Sequence, residues 1–102
     1  MISKDRLEIE ATTRMARKRS EMEMAADILQ VAKNGAKKSH IVYKANLNST
    51  VVEKYLDSLK LSGLIIGPQA ERHLFNTTEK GLKYLNHFEG LEKYLDNSNL
   101  HI

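Results

Sequence analysis

Apolar residues recur along much of this 102-residue chain at helical spacing, and caps, breakers and one short β-branched run mark its other elements. From residue 20 onward, Met22, Ala25, Ala26, Ile28, Leu29 and Ala32 fall at helical spacing. Ser20 and Glu23 form a capping box ahead of them, and Asn34-Gly35 supplies the stop. Ala36-Lys37-Lys38 is too short for a helix and reads as a short strand or link. Ser39 is expected to cap a short helix from His40 to Ala45, with Ile41 and Val42 inward. Asn46-Leu47-Asn48 breaks it. Asn48 then caps a helix reaching Ser62, with an inner stripe of Val52, Tyr55, Leu56 and Leu59, and Gly63 ends it. Leu64-Ile65-Ile66 reads as a strand, Gly67 to Glu71 as turn chemistry, and Arg72 to Asn76 as the returning strand of a hairpin.

Thr78 caps a last helix from Glu79 to Asp96, and Asn97-Ser98-Asn99 is expected to end it. Two apolar stripes coexist on this helix. Leu82 and Leu85 suit docking onto the domain. Tyr84, Phe88, Leu91 and Leu95 follow heptad spacing and ask for a further partner. Residues 1–19 admit two readings. Leu7, Ala11 and Met15 recur at i+4, as a helix over 4–17 would have them, whereas the scarcity of large apolar groups suits a mobile arm.

The order is therefore helix, short strand, helix, tight turn, helix, hairpin, helix. Two helices across a three-residue turn make a helix-turn-helix, and a hairpin directly after the second is a wing. The fold class is α+β, mostly α: a winged helix-turn-helix over 20–78, preceded by a basic arm or helix over 1–19 and followed by a C-terminal dimerisation helix over 79–97.

Composition narrows the chemistry. The 41% hydrophobic and 28% charged content is that of a globular chain. No apolar run is long enough to span a bilayer, and the first residues lack the apolar core of a signal peptide. A cytoplasmic protein without a membrane partner is expected. With no cysteine, disulfides and thiolate zinc sites are excluded. The four histidines, His40, His73, His87 and His101, lack metal-ligand spacing, so no metal site is expected. No paired acids, serine-histidine arrangement or glycine-rich phosphate loop stands out, so neither an enzyme nor a cofactor is expected.

The net charge of +3 is unevenly placed. Residues 1–20 carry six bases against three acids, and residues 21–32 carry three acids. Residues 33–60 hold six lysines against Glu53 and Asp57. The two basic blocks favour a polyanionic partner.

The stretch from Lys33 to Leu47 resembles the helix-turn-helix of an archaeal winged-helix family. That family contains small, abundant DNA-binding proteins of Sulfolobales and related transcriptional regulators. Tyr55-Leu56, Leu59 and Ser62-Gly63-Leu64-Ile65 resemble its recognition helix and the run into its wing. Phe75-Asn76-Thr77-Thr78-Glu79-Lys80-Gly81 is similar to the wing exit of many winged-helix regulators. The resemblance covers residues 20 to 95. It implies binding of double-stranded DNA and a homodimer through an antiparallel coiled coil of the last helix, whose seam here would be Tyr84, Phe88, Leu91 and Leu95.

In a helix-turn-helix the second helix enters the major groove. A helical wheel turns Thr50, Lys54 and Asp57 outward, flanked by Ser49, Val51 and Glu53. Ser49 and Thr50 can meet base edges or serve simply as first-turn polar residues. Val51 can touch a thymine methyl, and Lys54 a phosphate or guanine. Lys37, Lys38, His40 and Lys44, with the amides after Ser39 and Asn48, are expected at phosphates. Arg72 and His73 on the wing would reach the minor groove or backbone, and Arg14, Arg17, Lys18 and Arg19 neighbouring phosphates. Glu53 and Asp57 would face solvent or pair with Lys54 and Lys60. This reading is of a nucleoid-associated transcriptional regulator. Its alternatives are an architectural chromatin protein with little sequence preference, favoured by the lack of arginine on the recognition face, and a protein-interaction module, favoured by the two acids.

Overall fold

In the computed structural model, residues 19–100 are described, with side chains through residue 94. The choice between helix and arm over residues 4–17 lies outside the described residues. Helix α1 spans Glu21–Val31 and starts as its sequence dictates: Ser20 Oγ accepts from the Glu23 amide at 3.1 Å, and Glu23 Oε1 accepts from the Ser20 amide at 3.1 Å. Two amides that a bare helix end would leave without partners are thereby satisfied. Ala25, Ala26, Ile28 and Leu29 are buried, whereas Met22, expected on the same stripe, is half exposed. The helix tightens into a 3-10 turn over Ala32–Asn34 before Gly35 breaks it.

Strand β1 (Ala36–Lys37) leads directly into α2 (Lys38–Ala45). The start of α2 is a correction to the sequence reading. Lys37 occupies the cap position without a side-chain hydrogen bond, and Ser39 lies inside the helix. Pairing of Lys37 with Leu74 fixes where the extended backbone ends, so the helix begins one residue before the expected cap. Asn46 closes α2 in the left-handed conformation at φ 54°, and Leu47 N–H donates to Val42 O at 3.2 Å.

Helix α3 spans Ser49–Leu61 and buries Val52, Leu56 and Leu59. Asn48 Oδ1 accepts from the Val51 amide at 2.8 Å. At the other end Gly63, at φ 75°, donates to Lys60 O while Leu64 donates to Leu59 O at 2.9 Å, a Schellman closure that few residues other than glycine form cheaply. The chain then enters β2 (Ile65–Ile66), and β3 (Leu74–Thr77) returns. Arg72 and His73 belong to the loop rather than to the returning strand. The loop is closed by Gln69 N–H to Leu74 O and His73 N–H to Gln69 O, with His73 at φ 54°. The sheet order is β1-β3-β2, antiparallel, with Ala36 opposite Phe75 and Ile65 opposite Thr77.

Helix α4 runs Glu79–Leu100, so Asn97-Ser98-Asn99 does not end it. These residues cost a helix only tenths of a kcal/mol each relative to alanine, and no glycine or proline stands there. Thr78 Oγ1 accepts from the Gly81 amide at 3.1 Å and donates to Gly63 O at 2.6 Å. Gly81 is buried so closely that a Cβ would lie 2.2 Å from Leu64 O. The docking stripe is also corrected. Leu85 is buried, but Leu82 is 38% exposed, and the domain instead receives Tyr84 and Phe88 as half-buried neighbours of the core. Tyr84 and Phe88 stack, and the Tyr84 hydroxyl donates to Met22 O at 3.0 Å, tying α4 to α1.

The core gathers Ile28, Leu29, Ile41, Val52 and Ile65, all essentially fully buried. Each contributes about 1.5–3 kcal/mol by removal from water. No polar or charged residue is buried among the described residues.

Candidate nucleic-acid interface

The inward set of α3 determines what it turns outward. With Val52, Leu56 and Leu59 in the core, Thr50, Glu53, Lys54 and Asp57 emerge as one exposed stripe, with Ser49 exposed at the helix start and Val51 half-buried beside it. The Asn48 side-chain oxygen is used in capping. The stripe is rigidly presented, since the helix is closed by side chain or glycine at both ends and packed along its length.

Helix α2 flanks this stripe. Lys37, His40 and Lys44 are exposed. Lys37, Ser39 and His40 share a shallow concavity with Tyr43 and Leu74, where α2 meets the sheet. Tyr43, 78% exposed among these cations, was missed in the sequence because its neighbours Val42 and Ile41 drew the amphipathic reading. Its outward ring and hydroxyl give the surface an aromatic contact that no lysine provides.

Two cations behave otherwise than their sequence positions suggested. Lys38 forms an ion pair with Glu53 and so links the first turn of α2 to the stripe of α3. Glu53 therefore pairs across helices, not with Lys54 or Lys60. Arg19 is drawn into the domain. Its guanidinium donates to Asp27 Oδ2 at 2.8 Å, to Ala45 O at 2.8 Å and to Asn46 O at 2.7 Å. It thus joins the beginning of α1 to the carbonyl end of α2, where a cation also meets the negative end of the helix dipole. A side chain engaged with three protein oxygens leaves the set expected at phosphates. Arg14, Arg17 and Lys18 lie outside the described residues.

On the wing, Arg72 and His73 are exposed in the loop. On α4, Leu91 is 52% and Tyr94 69% exposed, and the Leu95 side chain lies outside the described residues. Burial pushes the Tyr84 hydroxyl pKa above its ordinary value, with Tyr55 adding to the effect; burial, then the Glu21 carboxylate, raises that of Tyr55. Both sit where α1, α3 and α4 meet and stabilise the neutral joint. Among the described residues no three histidine, cysteine or acidic side chains gather to hold a metal ion, and no described helix is long and apolar enough to cross a membrane.

Known proteins share this fold. No curated protein sequence matches the chain. Among solved structures, it is similar to Sso10a-2, a DNA-binding protein from Sulfolobus solfataricus, at 28% identity and a TM-score of 0.74, covering 81% of this chain and 88% of that one. The resemblance drawn from the sequence holds against that structure. The chain is also similar to MepR, a transcription regulator of the Staphylococcus aureus multidrug efflux pump MepA, at 17% identity and a TM-score of 0.64, covering 78% of this chain and 62% of that one. A MarR family regulator from Neisseria meningitidis, NMB1585, gives 24% identity and a TM-score of 0.52, with 78% and 61% covered. These last two are likenesses of fold. A family model described as winged helix-turn-helix matches residues 18–96, and the chain belongs to that family.

Proposed function

We propose that this protein is a homodimeric, sequence-reading binder of double-stranded DNA that acts in transcription regulation and is not an enzyme. The observation that carries the reading is the exposed polar stripe of α3, held between two closed helix ends and flanked by exposed Lys37, His40 and Lys44. The Sulfolobus solfataricus DNA-binding protein, similar over most of both chains, supports it.

In this mechanism α3 lies in the major groove. Ser49 and Thr50 address base edges, Val51 a thymine methyl, and Lys54 a guanine or phosphate. Lys37, His40 and Lys44 fix the register on phosphates, joined by the amides that follow Asn48. Arg72 and His73 meet the adjacent minor groove or backbone, and Arg14, Arg17 and Lys18 the neighbouring phosphates. The last helices pair through Leu91 and Leu95, with Tyr84 and Phe88 at the domain end of the seam, and set the spacing of two half-sites. The protein is cytoplasmic and associated with the nucleoid.

A second reading, architectural binding with little sequence preference, is favoured by the absence of arginine from the α3 stripe. Selection from a random duplex library at two salt concentrations separates them. A sharp consensus is expected. Retained binding without a consensus establishes the architectural reading, and absence of binding at both salts overturns DNA binding in favour of a protein-interaction module.

A further inference from the structure

The outward face of α3 carries a carboxylate near the end of the helix that meets base edges. Glu53 is the fifth residue of the helix and shares the stripe of Thr50 and Lys54. Its Oε1 is held by Lys38, yet 60% of its side-chain surface remains in solvent. A carboxylate offers about four acceptor sites, so the lysine leaves acceptor capacity open. An unpaired acid near phosphates would be repelled, and the Lys38 ammonium cancels that charge locally. The pair thus places a neutralised acceptor where the major groove presents its donors.

Those donors are exocyclic amino groups, N4 of cytosine and N6 of adenine. On adenine the amino group sits beside the N7 lone pair, which repels a carboxylate. On cytosine the neighbouring C5–H carries none. We propose that Glu53, oriented and neutralised by Lys38, selects a cytosine by accepting a hydrogen bond from its N4 amino group. This rests on the reading of α3 as the helix in the major groove. It makes Glu53 a specificity-determining residue and Lys38 its positioning residue, in place of the phosphate contact that its basic neighbourhood suggests.

The test uses the full chain and a random duplex library, with Glu53→Gln, Glu53→Ala and Lys38→Gln compared with wild type and checked for folding by thermal melting. Wild type is expected to select a cytosine at one position of each half-site. Glu53→Ala loses about ten-fold of discrimination there. It also steepens the salt dependence by about 0.9 in log–log slope, because Lys38 is released to a phosphate. Glu53→Gln, nearly isosteric and expected to melt like wild type, moves the preference toward adenine, which glutamine can bind in bidentate fashion. Lys38→Gln weakens the cytosine preference, which the loss of a merely structural surface pair would not do. An unchanged consensus in both Glu53 variants, or a Glu53-dependent position other than cytosine, overturns the proposal. So does wild-type binding without any base preference, although DNA binding then stands. Absence of wild-type binding overturns both.

Discussion

Helices α3 and α4 both begin on a side-chain cap, and they differ in what their outer faces expose. α3 is 13 residues long, is closed at both ends, and presents hydroxyls and charges along its outward stripe from Thr50 to Asp57, with Leu61 exposed at its last position. α4 is 22 residues long and is locked at its start by Thr78, Gly81 and Leu85. Further on it exposes Leu91 and Tyr94. A polar surface loses little by facing water until a polyanion arrives. A leucine left half in water forgoes part of the roughly 1.5–3 kcal/mol that its burial would contribute. The two helices therefore expose different kinds of surface, α3 mostly polar and charged, α4 with apolar groups along its distal half.

The strongest way to break this contrast acts on the anchored end of α4. Gly81→Ala forces a Cβ into the Leu64 carbonyl and the Thr77 methyl, and overpacking of this kind is expected to cost about 3 kcal/mol in urea unfolding. Wild-type stability in this variant would mean that α4 is not held at its start. Next in size is the distal end. Leu91→Glu with Tyr94→Glu is expected to leave the melting of the domain nearly unchanged, to give monomers in sedimentation velocity, and to weaken DNA binding by at least about ten-fold through lost avidity. Dimers that persist would place the interface off this face.

On the polar side, Lys37→Ala with Lys44→Ala is expected to flatten the log–log salt dependence of DNA binding by about 1.8, for two phosphate contacts. An unchanged slope would remove α2 from the DNA surface. The joint between the helices can be probed by pH. Because the folded state holds the Tyr84 proton more tightly than the unfolded chain does, this contribution is intact below the ordinary tyrosine value of 10.0 and is lost as pH rises above it. Tyr84→Phe should reduce the fall in urea midpoint between about pH 9 and about pH 11. The smallest effect reverses the first. Gly90→Ala, where a Cβ meets nothing within 4 Å, should stabilise the chain by about 0.5–1 kcal/mol through helix propensity. A loss of stability or of dimer there would show that a partner backbone approaches that glycine closely.

The local chemistry of the fold was legible in the sequence. Ser20 with Glu23, Asn48, Thr78 and Gly63 each act where their residue types predict, because caps and left-handed stops depend on a few neighbouring atoms. What escaped was decided by distant parts of the chain. The start of α2 depends on pairing between Lys37 and Leu74. Tyr84 and Phe88 dock while Leu82 does not, since Gly81 lets the helix settle against Leu64 and so sets its rotation. The same holds in the candidate interface. The exposed stripe of α3 follows from its inner one, but Lys38 meeting Glu53 and Arg19 meeting Asp27 are separated by fifteen and eight residues and have no periodic signature.

Arg19 also bears on how the described part of the domain is held ahead of its first helix. Judged by helix boundaries alone, position 19 would be a bystander to the Ser20 cap. Its hydrogen bonds make it part of the packed structure, because the guanidinium at position 19 fastens the first helix to the turn ahead of α3. Fragments starting at Arg19 and at Ser20 differ by a single residue in length, yet only the longer one keeps the latch that holds that turn.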